Sequence, residues 1–362
     1  MNRAYVVMTA MPPTKGHIAL IEFAARVGES VEVYLQTQPG EPFIQERYSA
    51  LVEATRHMST VSIHRMHKTL PQEPDEETES MFWDMWAGFL HDWGITEDDY
   101  IVASEGYGKE LAKITGSTFI PFDMDRDVVH TKATLVREMP FDHFDQIIPE
   151  FQKYLRVRVT IFGAESTGKT TLARALAEDL GGLFLPEWAR PYLETVGPEI
   201  THDKMQNIHT GQRALQMSAE KLAVDKPVIV QDTDLYSTLG YWEANTWSIE
   251  NKGKPSTPGA MLASDARTHM SDLYIITRSN IPFEPDQLRY GVDKRELSDE
   301  WWIAFAEKHH LPFMVLPMDD FNSRADASYD LIMSAFQKYA SKLEYIREGK
   351  EYQGVDSESK GA

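Results

Sequence analysis

The chain has 362 residues, 42% of them hydrophobic and 25% charged, which suits a buried core and, at roughly 100–200 residues per domain, two domains. Its 36 Lys+Arg against 56 Asp+Glu give a formal charge of -20, which argues against nucleic acid as a partner because a duplex demands a basic face. Without cysteine, disulfides, thiolate nucleophiles, zinc–thiolate sites and cysteine-bound iron–sulfur clusters are excluded, and no apolar run approaches the roughly 18 residues of a membrane span. The opening residues read as a first strand and not as a signal peptide, so the chain is expected to be soluble and cytoplasmic.

Apolar strands alternate with helical patterns, which predicts an α/β fold with two parallel sheets. In the first half, strands are expected at 5–8, 31–35, 61–63, 100–103 and 118–120, and helices at 17–28, 45–56 and 79–93. A bridging helix is expected over about 146–154. A second unit opens on the strand 157–162, with further strands at 183–185, 227–230, 273–276 and 313–316. Residues 251–259 read as a loop-like insertion, and the chain from 347 as a disordered tail. The expected division is a first domain over 1–145, a linker helix over 146–156 and a second domain over 157–346.

In the second half, Gly163-Ala164-Glu165-Ser166-Thr167-Gly168-Lys169-Thr170 matches G-x-x-x-x-G-K-[ST] in full, between a strand and a helix expected over 171–179. Successive backbone N–H groups from Gly163 through Glu165, Ser166, Thr167 and Gly168 to Thr171 would wrap a polyphosphate, and the helix N-terminus favours the anion. Lys169 would reach the β- and γ-phosphates of ATP, and Thr170 would offer its hydroxyl to Mg2+. The apolar strand ending at Asp232 places a carboxylate where a magnesium-holding acid belongs, and Asp234 could share that role; a plain cap is the alternative. Glu187 and Arg190 lie one helical turn apart after a short strand. They suit an acid on an acceptor hydroxyl and a clamp on phosphate, or a surface ion pair. The stretch 278–295, with Asp286, Arg289, Lys294 and Arg295, reads as a lid carrying cations or as an ordinary charged loop.

In the first half, Thr14-Lys15-Gly16-His17 sits between the first strand and first helix, in the crevice where open α/β sheets bind ligands. Gly16 allows close approach of a phosphate, and His17 projects from the helix start toward it; a helix cap or a solvated residue is the plainer reading of a single histidine there. Far along the chain, Thr131-Lys132-Ala133-Thr134-Leu135-Val136-Arg137 brings hydroxyls and two cations to the start of another helix, a second anion-binding terminus.

This T-x-G-H motif and the late run ending in Arg137 resemble the nucleotidylyltransferase superfamily. Their coupling to a P-loop unit beginning near residue 157 is similar to one family, the bifunctional nicotinamide-mononucleotide adenylyltransferase/ribosylnicotinamide kinases, over about residues 3–340. Ser104-Glu105-Gly106-Tyr107-Gly108, Asp123-Met124-Asp125-Arg126, Glu187-Trp188-Ala189-Arg190 and Asp286-Gln287-Leu288-Arg289 support the likeness. The resemblance implies that Thr14, His17, Thr134 and Arg137 contact ATP phosphates, with Lys132 neutralising charge, and that Ser104, Glu105 and Tyr107 lie near the nucleotide. It implies that Trp83 or Trp86 stacks on nicotinamide, against the plainer reading of both as core. It further implies two ATP-dependent reactions: phosphorylation of nicotinamide riboside, and adenylyl transfer to nicotinamide mononucleotide giving NAD and pyrophosphate; the alternatives are the same two folds acting on another nucleoside and nucleotide pair, or an ATP- or NAD-sensing protein without turnover. Met8 departs from the family's glycine, and Thr14 from its first histidine. A sheet beginning at residue 4 leaves no room for the N-terminal DNA-binding domain of some relatives, so no transcriptional role is expected. Self-association is left open.

Overall fold

The computed structural model describes residues 2–66, 70, 79–130, 132–244, 257–281 and 297–344, except the side chains of 79, 80, 257, 258 and 344. It divides into two compact units, residues 1–154 together with the chain from 339, and residues 155–338.

The first unit runs β1 (Arg3–Met8), α1 (Lys15–Val27), β2 (Ser30–Leu35), α2 (Ile44–Thr55), β3 (Val61–Arg65), α3 (Glu79–Asp92), β4 (Tyr100–Ala103), α4 (Tyr107–Thr115), β5 (Thr118–Pro121), α5 (Ala133–Glu138) and α6 (Pro149–Gln152). Its strands form one parallel sheet in the order β3-β2-β1-β4-β5. Strands such as β1, buried along most of their length, read as unbroken apolar runs because helices cover both faces. The order reverses direction at β1 and β4, so the loops after these two strands flank the crevice. Trp86 is buried in the core beneath α3 and Trp83 packs against it.

The bridging helix is a correction. Residues 144–146 form a single 3-10 turn and only Pro149–Gln152 is helical. Pro149 drives Ile148 out of the helical region, to ψ 141, and Ile147 pairs with Thr14 in an isolated antiparallel bridge.

The second unit runs β6 (Val157–Phe162), α7 (Lys169–Asp179), β7 (Leu183–Leu185), α8 (Ala189–Val196), α9 (His202–Leu222), β8 (Val228–Asp232), α10 (Leu235–Ala244), α11 (Thr257–Thr268), β9 (Leu273–Thr277), α12 (Asp299–Lys308) and β10 (Phe313–Leu316), and ends within α13 (Phe321–Glu344). Its parallel sheet has the order β10-β9-β6-β8-β7, with β6 at the centre. Phe162, Tyr236, Tyr274, Trp302 and Phe305 build the core on one face. The expected insertion at 251–259 ends in helix: residues 257–259 are the first turn of α11, where Pro258 fits because its missing N–H would be unpaired anyway. Residues 251–256 and the tail from 347 lie outside the described residues. The two-sheet α/β expectation is borne out.

Candidate functional site

The loop after β6 is built on two glycines with left-handed backbone, Gly163 at φ +123 and Gly168 at φ +82. A Cβ on Gly163 would stand 2.8 Å from the carbonyl oxygen of Thr277, a backbone atom that cannot give way cheaply. Gly163→Ala should therefore destabilise the second unit by about 1–3 kcal/mol and weaken binding of an ATP analogue, read by denaturant unfolding and titration. The hydroxyl of Thr167 donates to the Ala164 carbonyl at 2.9 Å and lies 2.7 Å from that of Thr277, so the loop is tied to β9. The helix expected from 171 begins at Lys169, which swings its Nζ to the Ala164 carbonyl at 2.6 Å. Thr170 donates to Asp232 Oδ2 at 2.5 Å. Register places Asp232 opposite Ile161, two residues before the loop.

A cavity of about 540 Å³ opens on this loop. Gly163, Glu165 through Thr171 and Asp232 form one wall, and Glu187 and Arg190 from the β7–α8 turn another. The structure thus brings both Glu187 and Arg190 to the cavity. Leu193, Ile200, Met205 and Ile208 add an apolar patch beside them. Glu165 accepts a hydrogen bond from the Tyr241 hydroxyl on α10. Asp234 is placed differently from Asp232. Its carboxylate caps α10 through the N–H groups of Tyr236 and Ser237 and accepts from the Tyr274 hydroxyl at 2.7 Å. Burial pushes its pKa up to about 6, and it does not line the cavity. Arg289, with Asp286, Lys294 and Arg295, lies outside the described residues, as does most of the stretch expected as a lid.

Sequence reading missed Arg324 on α13. It is buried and donates to the carbonyls of Thr167 at 3.0 Å, Arg278 at 3.1 Å and Met318 at 2.8 Å, and to the Asn280 side chain. One guanidinium therefore braces the phosphate loop against the segment after β9. No local pattern marks it, since Thr167 is 157 residues away in the chain.

In the first unit, Thr14 is the N-cap of α1 and His17 its third residue. The Thr14 N–H donates to His17 Nδ1 at 2.9 Å, and the Thr14 hydroxyl lies 2.7 Å from the same nitrogen. A nitrogen accepting a backbone N–H carries no proton, so neutral His17 bears its proton on Nε2. Burial, then the charge of Arg126, pushes the His17 pKa down to about 4. Gly16 lies close beneath the next loop: a Cβ there would stand 3.0 Å from Val129 Cγ1. That loop is held by Asp123, whose carboxylate accepts the N–H groups of Val128 and Val129 at 2.9 and 2.7 Å.

A cavity of about 740 Å³ is lined by Ser104, Glu105, Arg126, His130, Lys132 and Thr134, among others. Arg126 pairs with Glu105 at 3.1 Å, and its influence on His17 links this cavity to the α1 start. Tyr107 donates to the Val7 carbonyl at 2.7 Å, which locks the β4–α4 turn to β1, and burial raises its pKa. Arg137 sits on α5 but does not line the cavity, and Thr131 is outside the described residues. Because α5 has only six residues, its dipole is small; Lys132 is its N-cap, whereas Arg137 lies in its last turn, away from that terminus. Among the described residues, no helix is long and apolar enough to cross a membrane.

A family model described as an AAA domain matches residues 158–324. The trifunctional NAD biosynthesis/regulator protein NadR of Escherichia coli (strain K12) is 23% identical over 337 residues, 86% of this chain and 78% of that protein. Its counterpart from Salmonella typhimurium is 21% identical over the same shares. A crystal structure of NadR protein in complex with NR matches with a TM-score of 0.61 at 21% identity, covering 94% of this chain and 96% of that one. A structure of NadR with NAD and AMP-PNP matches at 0.60 and 22%. The shared fold spans both sheets, the resemblance read from the motifs is borne out, and the chain is a homologue of the NadR proteins.

Proposed function

We propose that the second unit phosphorylates nicotinamide riboside with ATP and that the first unit joins the mononucleotide so formed to AMP from a second ATP, giving NAD. The observation that carries this reading is the cavity of the second unit, where a complete phosphate cradle faces an acid and an arginine. Homology to proteins named for NAD biosynthesis supports the substrates, as do structures of NadR protein in complex with NR and with NAD and AMP-PNP.

In the second unit, the loop N–H groups and Lys169 hold the ATP phosphates. Glu187 accepts the proton of the riboside 5′-hydroxyl as its oxygen attacks the γ-phosphorus. The bond from that phosphorus to the β-phosphate oxygen breaks, ADP leaves, and Arg190 offsets charge on the transferring group. Thr170 and Asp232 present a hydroxyl and a carboxylate side by side, the hard oxygen donors magnesium takes. Bound there, the ion would neutralise charge on the β- and γ-phosphates.

In the first unit, the mononucleotide phosphate is already an anion, so its attack on the α-phosphorus of ATP needs no general base. Catalysis is positioning and charge neutralisation. Lys132 and Thr134 on the cavity wall and Thr14 and His17 Nε2–H at the start of α1 hold the phosphates, Gly16 lets them approach the backbone, and Arg137, off the cavity wall, contributes through its charge. Ser104 and Glu105 shape the nucleotide side of the cavity, and Tyr107, off its wall, fixes their turn to β1. The bond from the α-phosphorus to the β-phosphate oxygen breaks and pyrophosphate leaves.

Purified protein given nicotinamide riboside, ATP and magnesium should make NAD, with one ADP and one pyrophosphate released per NAD, resolved by chromatography. NAD forming from supplied mononucleotide but not from the riboside would mean that the kinase serves another nucleoside. Mononucleotide accumulating without NAD would mean that the first unit does not perform adenylyl transfer.

A further inference from the structure

Helix α9 carries two glutamines one turn apart, Gln212 and Gln216, which are only 2% and 1% exposed. Each uses its side-chain oxygen in the same way. Gln212 Oε1 accepts the backbone N–H of Trp188 at 2.9 Å, and Gln216 Oε1 accepts that of Leu235 at 3.0 Å. Neither amide nitrogen has a hydrogen-bond partner among the described residues. A buried amide left half satisfied is worse for stability than an apolar side chain of similar shape, so what the two oxygens hold gives the reason for having them.

They hold the turns that carry the acids. Trp188 is the N-cap of α8, directly after Glu187 and two residues before Arg190. Leu235 opens α10, three residues after Asp232. The first N–H groups of a helix have no partner within it, and here a third helix supplies the acceptors from one face. Gly211, beside Gln212, completes the seat: a Cβ there would stand 2.2 Å from the Trp188 ring.

We infer that Gln212 and Gln216 are positioning residues for phosphoryl transfer, which act through two backbone N–H groups to fix Glu187 and Arg190 relative to Asp232. The roles given to those three groups rest on the kinase reading; the clamp itself does not. Gln212 itself lines the cavity and Gln216 does not, and neither hydrogen-bonds to the phosphate loop among the described residues, so the effect should fall on turnover and not on ATP binding.

Gln212→Met keeps length and burial and removes the acceptor. It should lower kcat for nucleoside phosphorylation by about 10- to 100-fold, as expected when a reacting group is misplaced, with KM for ATP and nucleoside nearly unchanged. Gln212→Glu, which keeps an oxygen at the same reach, should recover most of the rate. Amide hydrogen exchange should quicken at residues 187–190 in Gln212→Met and at 235–238 in Gln216→Met. An unchanged kcat, no recovery in Gln212→Glu, or a raised nucleoside KM with kcat held would overturn the assignment, the last by making Gln212 a substrate contact. If the wild-type protein phosphorylates no nucleoside, the kinase reading falls, and exchange at the two turns alone decides whether the clamp exists.

Discussion

Replacing Lys169 with alanine should lower phosphoryl transfer to nicotinamide riboside by ~10²–10³-fold, the loss typical of one preorganised charge-stabilising donor. The lysine opens α7 at the end of the phosphate loop, and its ammonium rests on the Ala164 carbonyl within the loop. A polyphosphate filling the cradle offers that ammonium a stronger, charged acceptor than a carbonyl. Alanine also suits the first turn of a helix, and the glycines that shape the loop are untouched. The loss should therefore be chemical, with the cooperative thermal transition preserved. ADP release in the presence of riboside measures the first reaction, and NAD formation from supplied mononucleotide measures the second. The second should stay within about twofold of wild type, because the phosphate site proposed for it belongs to the other sheet. Loss of both reactions in a protein that still melts cooperatively would contradict the two-site reading.

The features legible in the sequence were those whose cause is local. Strands flanked by helices on both faces show as apolar runs, and the phosphate loop shows as a glycine spacing because its backbone can be made in few ways. What escaped depends on distant partners. Asp232 and Asp234 both follow the same apolar strand, and nothing between them says which faces the cavity. Tyr274, 40 residues on, decides it by taking the Asp234 carboxylate into the core. Arg324 and Tyr241 reach the phosphate loop only through the fold. Glu187 and Arg190 had the spacing of a surface pair, and it is α9, packed beneath their turn, that directs them to the cavity. The bridging helix failed for a local reason that could have been read: the residue before a proline resists the helical conformation.

His17→Ala should do the reverse of Lys169→Ala, lowering adenylyl transfer by ~10²–10³-fold while riboside phosphorylation stays near wild type. The form of the wild-type pH profile follows from the same geometry. With Nδ1 accepting the Thr14 N–H and the pKa pushed down to about 4, His17 is neutral at pH 7 and offers Nε2–H as a donor. A histidine needed as a cation would lose activity as pH rises through its ordinary value of 6.5. Here kcat/KM for ATP in adenylyl transfer should show no fall attributable to His17 on crossing that value. Stability has a matching sign. The folded-state pKa is depressed, so between about 4 and 6.5 the unfolded chain binds more protons at this group, and folding gains stability as pH rises through that window. His17→Ala should remove that contribution, so the difference in stability between variant and wild type should shift in favour of the variant as pH falls from 6.5 towards 4. Both curves are measurable on the full chain, by initial rates and by denaturant unfolding at each pH. A rate that falls away above pH 6.5 in wild type, and does so no longer in His17→Ala, would mean that the imidazolium and not the neutral ring meets the phosphates.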